Sequence, residues 1–160
     1  MELEEIIQGC KNGNEKCQNS LVQLYATRLM ALCMRYTHDR DLAKDALKES
    51  FINAFKYIHS YSGSGSIEGW LRRIAVNCSL KTIKTMYEIH TLEETAIDTN
   101  AFAEVPDVYS TMGKEDIMAL LTRLPHSQYV IFNLNIIEGY NHGEIAEMLK
   151  ANYHKHDGFV

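Results

Sequence analysis

At 160 residues and 46% hydrophobic content, the chain has enough apolar material for one ordinary domain or two small packed ones. No apolar run reaches the roughly 18 residues of a membrane span, and the N-terminal MELEEIIQGCKNGN is acidic and polar, which excludes a secretory signal and predicts a cytoplasmic protein. The net charge of -5 is uneven: residues 1–90 hold 12 Lys and Arg against 10 Asp and Glu, or +2, and residues 91–160 hold 4 against 11, or -7, so a phosphate contact belongs in the first half.

Leu3 to Lys11 reads as a short helix stopped at Asn12-Gly13, and Asn14 is placed to cap a longer helix running to about Thr37. Leu21, Leu24, Tyr25, Leu29, Leu32 and Tyr36 recur at three- and four-residue steps there and predict a core stripe. Cys10, Cys17, Cys33 and Cys78 form no CxxC pair, and three of them fall within helical patterns, which predicts structural thiols rather than disulfides or a zinc site.

His38-Asp39-Arg40 reads as a turn, with Asp41 as cap of a third helix from Leu42 to about His59. Its apolar set is Ala43, Leu47, Phe51, Ala54, Phe55 and Ile58, leaving Lys44, Asp45, Lys48, Glu49, Asn53 and Lys56 outside. By periodicity that outer face is a solvated surface with ion pairs at four-residue spacing.

The segment Tyr61-Ser62-Gly63-Ser64-Gly65-Ser66 cannot continue a helix, because glycines and serines favour turns and side-chain-to-backbone bonds. A fourth helix follows, with Ser66 as N-cap, reaching about Tyr87. Leu71, Ile74, Ala75 and Cys78 are predicted inside. Arg73, Asn77, Lys81 and Lys84 sit at steps of four, four and three and so predict one exposed face, with Arg72 beside it. Such a stripe suits a nucleic acid strand, since Arg and Lys meet phosphates while an Asn amide offers a paired donor and acceptor to a base edge. Tyr61 and Trp70 flank the stripe, where they either stack on unpaired bases or belong to the core.

Residues 88–113 hold Glu88, Glu93, Glu94, Asp98, Glu104, Asp107 and Pro106 with no Lys or Arg, and read as an acidic linker. Lys114 to Leu124 reads as helix ended by Pro125, and His126 to Ile137 as another with Val130, Ile131, Leu134 and Ile137 on one face. Gly139 turns the chain, and Asn141 with Glu144 forms a capping-box-like start for a helix whose Ile145, Ala146 and Leu149 point inward. That helix is of the kind that opens a helix-turn-helix, but ANYHKHDGFV after it lacks the pattern of a recognition helix. His154 and His156, without nearby thiols, do not make a metal site.

Over roughly residues 3–150 these pieces resemble the extracytoplasmic-function (ECF) sigma factors of bacterial RNA polymerase, in the sigma-70 family. RYTHDRDLAKDALKESFINAFKYIHSYSGSGSIEGWLRRIAVN looks like the family's region two, and LTRLPHSQYVIFNLNIIEGYNHGEIAEML like the start of region four. The resemblance implies an all-α fold of two small helical domains: a region two-like domain over 1–87, the acidic linker over 88–113, and a region four-like domain over 114–160 whose recognition helix is missing after about 150. It implies that Asp41, Asp45, Lys48, Glu49 and Asn53 dock on core RNA polymerase. It further implies that the loop with Tyr61, Ser62 and Ser64 captures a flipped base of the melted minus-ten element, and that Trp70, Arg72, Arg73, Asn77, Lys81 and Lys84 hold the strand.

The function so implied is transcription initiation by recognition and melting of the promoter minus-ten element. An anti-sigma factor is a further implied partner, no cofactor is needed, and no enzymatic chemistry is involved. Lys44 and Lys48 replace an acidic residue and a Gln of the family pattern, and the arginine cluster that usually follows the Asn77 position is reduced to Lys81 and Lys84. With the incomplete helix-turn-helix, these departures leave an alternative: a sigma-like interaction module that binds polymerase or an anti-sigma factor without starting transcription.

Overall fold

The computed structural model describes the backbone of residues 1–90 and 123–153, with side chains for residues 1–84 and 123–150. All regular structure among these residues is helical. The expected linker from residue 91 onward, most of the helix expected over Lys114–Leu124, and the tail from His154 lie outside the described residues. The chain divides into two compact units, Met1–Met86 and Tyr87–Val160.

The first unit opens with α1, Leu3–Lys11, which ends where Gly13 takes a φ of +78°. Helix α2 spans Glu15–Thr37, and the Asn14 side chain accepts from the amides of Lys16 and Cys17, satisfying two of the donors that a helix start leaves open. His38, left-handed at φ +53°, closes α2. Helix α3 covers Arg40–Lys56, and its cap is Asp39, which accepts from the Leu42 amide at 2.9 Å. Asp41 is therefore not the cap. The left-handed turn is completed within His38, so the helix starts earlier and Asp41 becomes an exposed residue of its first turn. A tight turn at Ile58–Ser60 replaces the expected final turn of α3.

Helix α4 runs from Ile67 to His90, longer than predicted, and Ser66 accepts from the Gly69 amide at 3.0 Å as its cap. Helix α2 packs on α1 and on α3, and the Ile58–Ser60 turn lies against both α1 and α3. On α3 the inward positions Ala43, Ala46, Ser50 and Ala54 are small and at helical spacing, which lets the neighbouring helix come close. Leu21, Leu29, Leu32 and Tyr36 of α2, with Leu71, Ala75, Val76 and Leu80 of α4, supply the rest of a core with almost no exposure. Each fully buried Leu contributes about 1.5–3 kcal/mol. Leu24 is a correction: it stands 50% exposed, because it falls on the rim of the arc defined by Leu21, Tyr25 and Leu32.

The close seating of α1 on α2 depends on Gly9. A Cβ at Gly9 would collide with the Sγ of Cys17 and stand 2.7 Å from its Cβ.

In the second unit, Arg123 and Leu124 form a turn rather than the end of a helix. Helix α5, His126–Phe132, continues into a π-wound segment, Asn133–Ile137, where the Glu138 amide reaches back five residues to the Asn133 carbonyl at 2.9 Å. The wider winding alters the expected face. Val130 and Leu134 are buried as predicted, joined by Tyr129 and Asn133, whereas Ile131 and Ile137 are each 38% exposed. Gly139, at φ +83°, makes the turn into α6, His142–Tyr153. The predicted capping box is formed: the Glu144 amide donates to the Asn141 side chain at 2.8 Å and the Asn141 amide to the Glu144 carboxylate at 3.1 Å. On α6 the inward residues are Ile145 and Met148; Leu149 is half-buried and Ala146 is exposed, so the inward face is rotated from the predicted one.

No helix among the described residues is long and apolar enough to cross a membrane.

Candidate nucleic-acid interface

The loop between the Ile58–Ser60 turn and α4 is shaped by its own residues. Gly63 and Gly65 adopt φ of +85° and +80°, which a side chain would oppose. The hydroxyls of Ser62 and Ser64 meet at 2.9 Å on the exposed crest. Beneath them the Tyr61 hydroxyl donates to the Gly65 carbonyl at 2.8 Å, and the Tyr61 ring centroid lies 5.7 Å from that of Trp70. Tyr61 is thus buried, which favours the core side of its two sequence readings. Trp70 remains half-buried.

Along α4, Arg73 and Lys81 are exposed, and Arg72 and Asn77 are half-buried. These four agree with the predicted stripe. Lys84 does not. It is 2% exposed, and its Nζ has no hydrogen-bond partner among the described residues. Residues 76–84 of α4 are buried over most of the helix circumference, through Val76, Cys78, Ser79, Leu80 and Ile83. Lys84 lies about 60° around the helix from Lys81, toward Leu80, and falls inside that widened arc.

The outer face of α3 carries Asp41, Asp45 and Lys48, all exposed, beside the half-buried Glu49 and Asn53. The last two turn toward α4. Glu49 Oε1 pairs with Lys81 Nζ at 2.7 Å, and Asn53 Nδ2 contacts Cys78 Sγ at 3.5 Å. The Glu49 carboxylate, through its hydrogen bond and its charge, holds the Lys81 ammonium above its usual pKa. Periodicity along single helices missed both contacts, because they join residues 32 and 25 positions apart. It missed a third in the same way: Arg28 of α2 pairs at 2.9 Å with Glu68 in the first turn of α4. There the carboxylate also favours the positive end of the helix dipole.

Burial pushes the thiols of Cys10, Cys33 and Cys78 above the usual value, which keeps them protonated and poor nucleophiles. The arrangement is therefore suited to binding. An exposed serine crest leads into a helix presenting Arg73, Asn77 and Lys81, and α3 offers a mixed-charge face alongside.

Comparison with known proteins agrees with this geometry. The family described as Sigma-70 region 2 matches residues 21–85, which contain most of α2, all of α3, the loop and most of α4. The ECF RNA polymerase sigma-E factor of Haemophilus influenzae is 27% identical over 158 residues, covering 91% of this chain and 82% of that protein. The sigma-E factor of the same description from Salmonella typhimurium strain LT2 is 24% identical over 155 residues, covering 90% and 81%. The RNA polymerase sigma-H factor of Pseudomonas aeruginosa is 22% identical over 159 residues, covering 92% and 82%. A Sigma-70 region 2 match over residues 21–85, in a chain similar over nine-tenths of its length to two ECF sigma-E factors, supports membership of the ECF group of the sigma-70 family.

Proposed function

We propose that this protein is a transcription initiation factor that docks on core RNA polymerase through the outer face of α3 and captures the melted minus-ten strand with the Ser62–Ser64 crest and the exposed side of α4. The observation that carries this reading is the continuity of the serine crest with a helix whose exposed side holds Arg73, Asn77 and Lys81. Cations meet the phosphates, the Asn77 amide suits a base edge, and an unstacked base has an open loop to enter. Asp41, Asp45, Lys48 and Glu49 form the docking face, and an anti-sigma partner would compete for these same surfaces.

Purified protein is expected to co-elute with bacterial core polymerase and, in that complex, to bind single-stranded minus-ten DNA more tightly than core polymerase alone. Failure of both measurements overturns the reading.

The second unit favours a narrower role for itself. Its described residues hold Arg123 and Lys150 against Glu138, Glu144 and Glu147, which is 2 - 3 = -1, a poor match for duplex DNA. Promoter-specific run-off transcripts from the chain and core polymerase establish initiation. Polymerase binding without transcripts establishes the sigma-like interaction module instead.

A further inference from the structure

The strand-capturing loop is tied at its base to a residue far away in sequence. Lys11, at the end of α1, donates from Nζ to the Tyr61 carbonyl at 3.3 Å across 50 positions, in a partly buried setting. The same ammonium stands 6.0 Å from the centroid of the Tyr61 ring. Tyr61 in turn closes the loop through its hydroxyl on Gly65 and rests its ring against Trp70. Between these ties only the Ser62–Ser64 crest is left to meet a ligand.

We propose that Lys11 is a positioning residue for this loop: it fixes Tyr61, and through Tyr61 the crest, in the conformation that accepts a flipped base. The inference rests on the strand-capture reading and assigns α1 a part in it.

The physical argument is one of preorganisation. Two glycines give this loop many conformations when untethered, and a strand that had to order them would bind more weakly. A charge-assisted hydrogen bond to the carbonyl at the loop's first residue, together with the cation over the ring, restricts that freedom before the strand arrives. The end of α1 can reach Tyr61 because Gly9 lets α1 sit directly on Cys17 of α2, and because α1 packs against the Ile58–Ser60 turn. Lys11 also suits the carbonyl end of α1, but that local role does not call for contact with Tyr61.

The test uses the full chain bound to core polymerase. The probe is a fluorescein-labelled single-stranded oligodeoxynucleotide selected from a random pool on the wild-type complex. Lys11→Met keeps the aliphatic stem and removes the donor. It is expected to weaken probe binding by about three- to tenfold, the range for one hydrogen bond of this kind. Lys11→Arg, which can still donate, should restore most of the affinity.

Salt dependence separates positioning from direct phosphate contact. A positioning residue leaves the slope of log affinity against log salt unchanged, whereas a lost phosphate contact reduces it by about 0.7 on a single strand. Trp70 is the chain's single tryptophan, so in the free full chain its emission is expected to shift in Lys11→Met, with faster amide exchange over Tyr61–Gly65. Unchanged emission and exchange overturn the brace. Unchanged probe affinity, or weakened affinity with a reduced salt slope, overturns the positioning role. A wild-type complex that selects no oligonucleotide overturns the strand-capture reading, and the positioning role with it.

Discussion

Glu49 of α3 holds Lys81 of α4 at 2.7 Å, so a residue of the proposed polymerase-docking face and a residue of the proposed strand-binding face share one ion pair. A carboxylate that meets the polymerase releases some of its hold on Lys81, and a phosphate that meets Lys81 releases Glu49. Exposed pairs of this kind contribute about 0.2–1 kcal/mol. Glu49→Gln is therefore expected to raise affinity for a single strand by about two- to fivefold in the free protein while weakening polymerase binding. A double-mutant cycle with Lys81→Met, read by fluorescence anisotropy, should show the strand effect of Glu49→Gln vanish once Lys81 is gone. Equal strand effects in both backgrounds would show that the pair is immaterial to binding.

Lys84 and Lys81 should behave as opposites despite their shared place in the sequence pattern. The Lys84 ammonium is buried without a hydrogen bond among the described residues, so replacing it with methionine of similar shape removes a desolvated charge. Lys84→Met is expected to raise unfolding free energy by about 1 kcal/mol or more and to leave strand affinity and its salt slope unchanged. Lys81→Met should reduce both. Urea titrations and anisotropy at several salt concentrations measure the two effects side by side.

Gly9→Ala should be costly for a helix position where alanine is ordinarily preferred. The methyl group meets the Cys17 sulfur and pushes α1 away from α2. A loss of about 1–3 kcal/mol is expected from overpacking, against a gain below about 1 kcal/mol from propensity. The combination Gly9→Ala with Cys17→Ala should recover part of the loss in a chemical-denaturation measurement, because the colliding sulfur is removed.

His38 should give the first unit an acid-sensitive limb. Partial desolvation lowers its pKa from the ordinary 6.5 while much of the side chain stays exposed, so the fold favours the neutral imidazole weakly. Its contribution is complete above pH 6.5 and is lost as the pH falls through that value toward the lower folded pKa. His38→Gly is expected to flatten this part of the stability profile. It should also stabilise the protein at neutral pH by up to about 1 kcal/mol, since glycine adopts the left-handed φ of +53° without a Cβ clash. Denaturation midpoints of both proteins at pH 7.5 and below pH 6 check the slope and the offset.

The features legible in the sequence are local ones. Caps at Asn14, Ser66 and Asn141 depend on residues within three positions of one another, and all three form. The Gly/Ser loop and the Arg73–Asn77–Lys81 stripe were readable for the same reason. The choice between Asp39 and Asp41 as cap was not, since it turned on whether His38 alone would complete a left-handed turn. Leu24 and Lys84 failed for a shared physical reason: a helical wheel orders residues around an axis but does not say how wide the buried arc is at each level. Gly9, Lys11 and the Glu49–Lys81 pair depend on how α1, α3 and α4 are stacked, which spacing along one helix does not encode.

The π-wound segment Asn133–Ile137 lies immediately before the Gly139 turn and α6. One extra residue is taken up in that turn, and each residue of an α-helix rotates the chain by about 100°. The wider winding turns each residue through less than that, so five residues here rotate the chain about as far as four in an ordinary turn, and deleting one restores ordinary winding with the phase beyond it nearly unchanged. The segment thus acts as a local buffer of length, where the chain can gain or lose one residue by a change of winding without re-aiming α6.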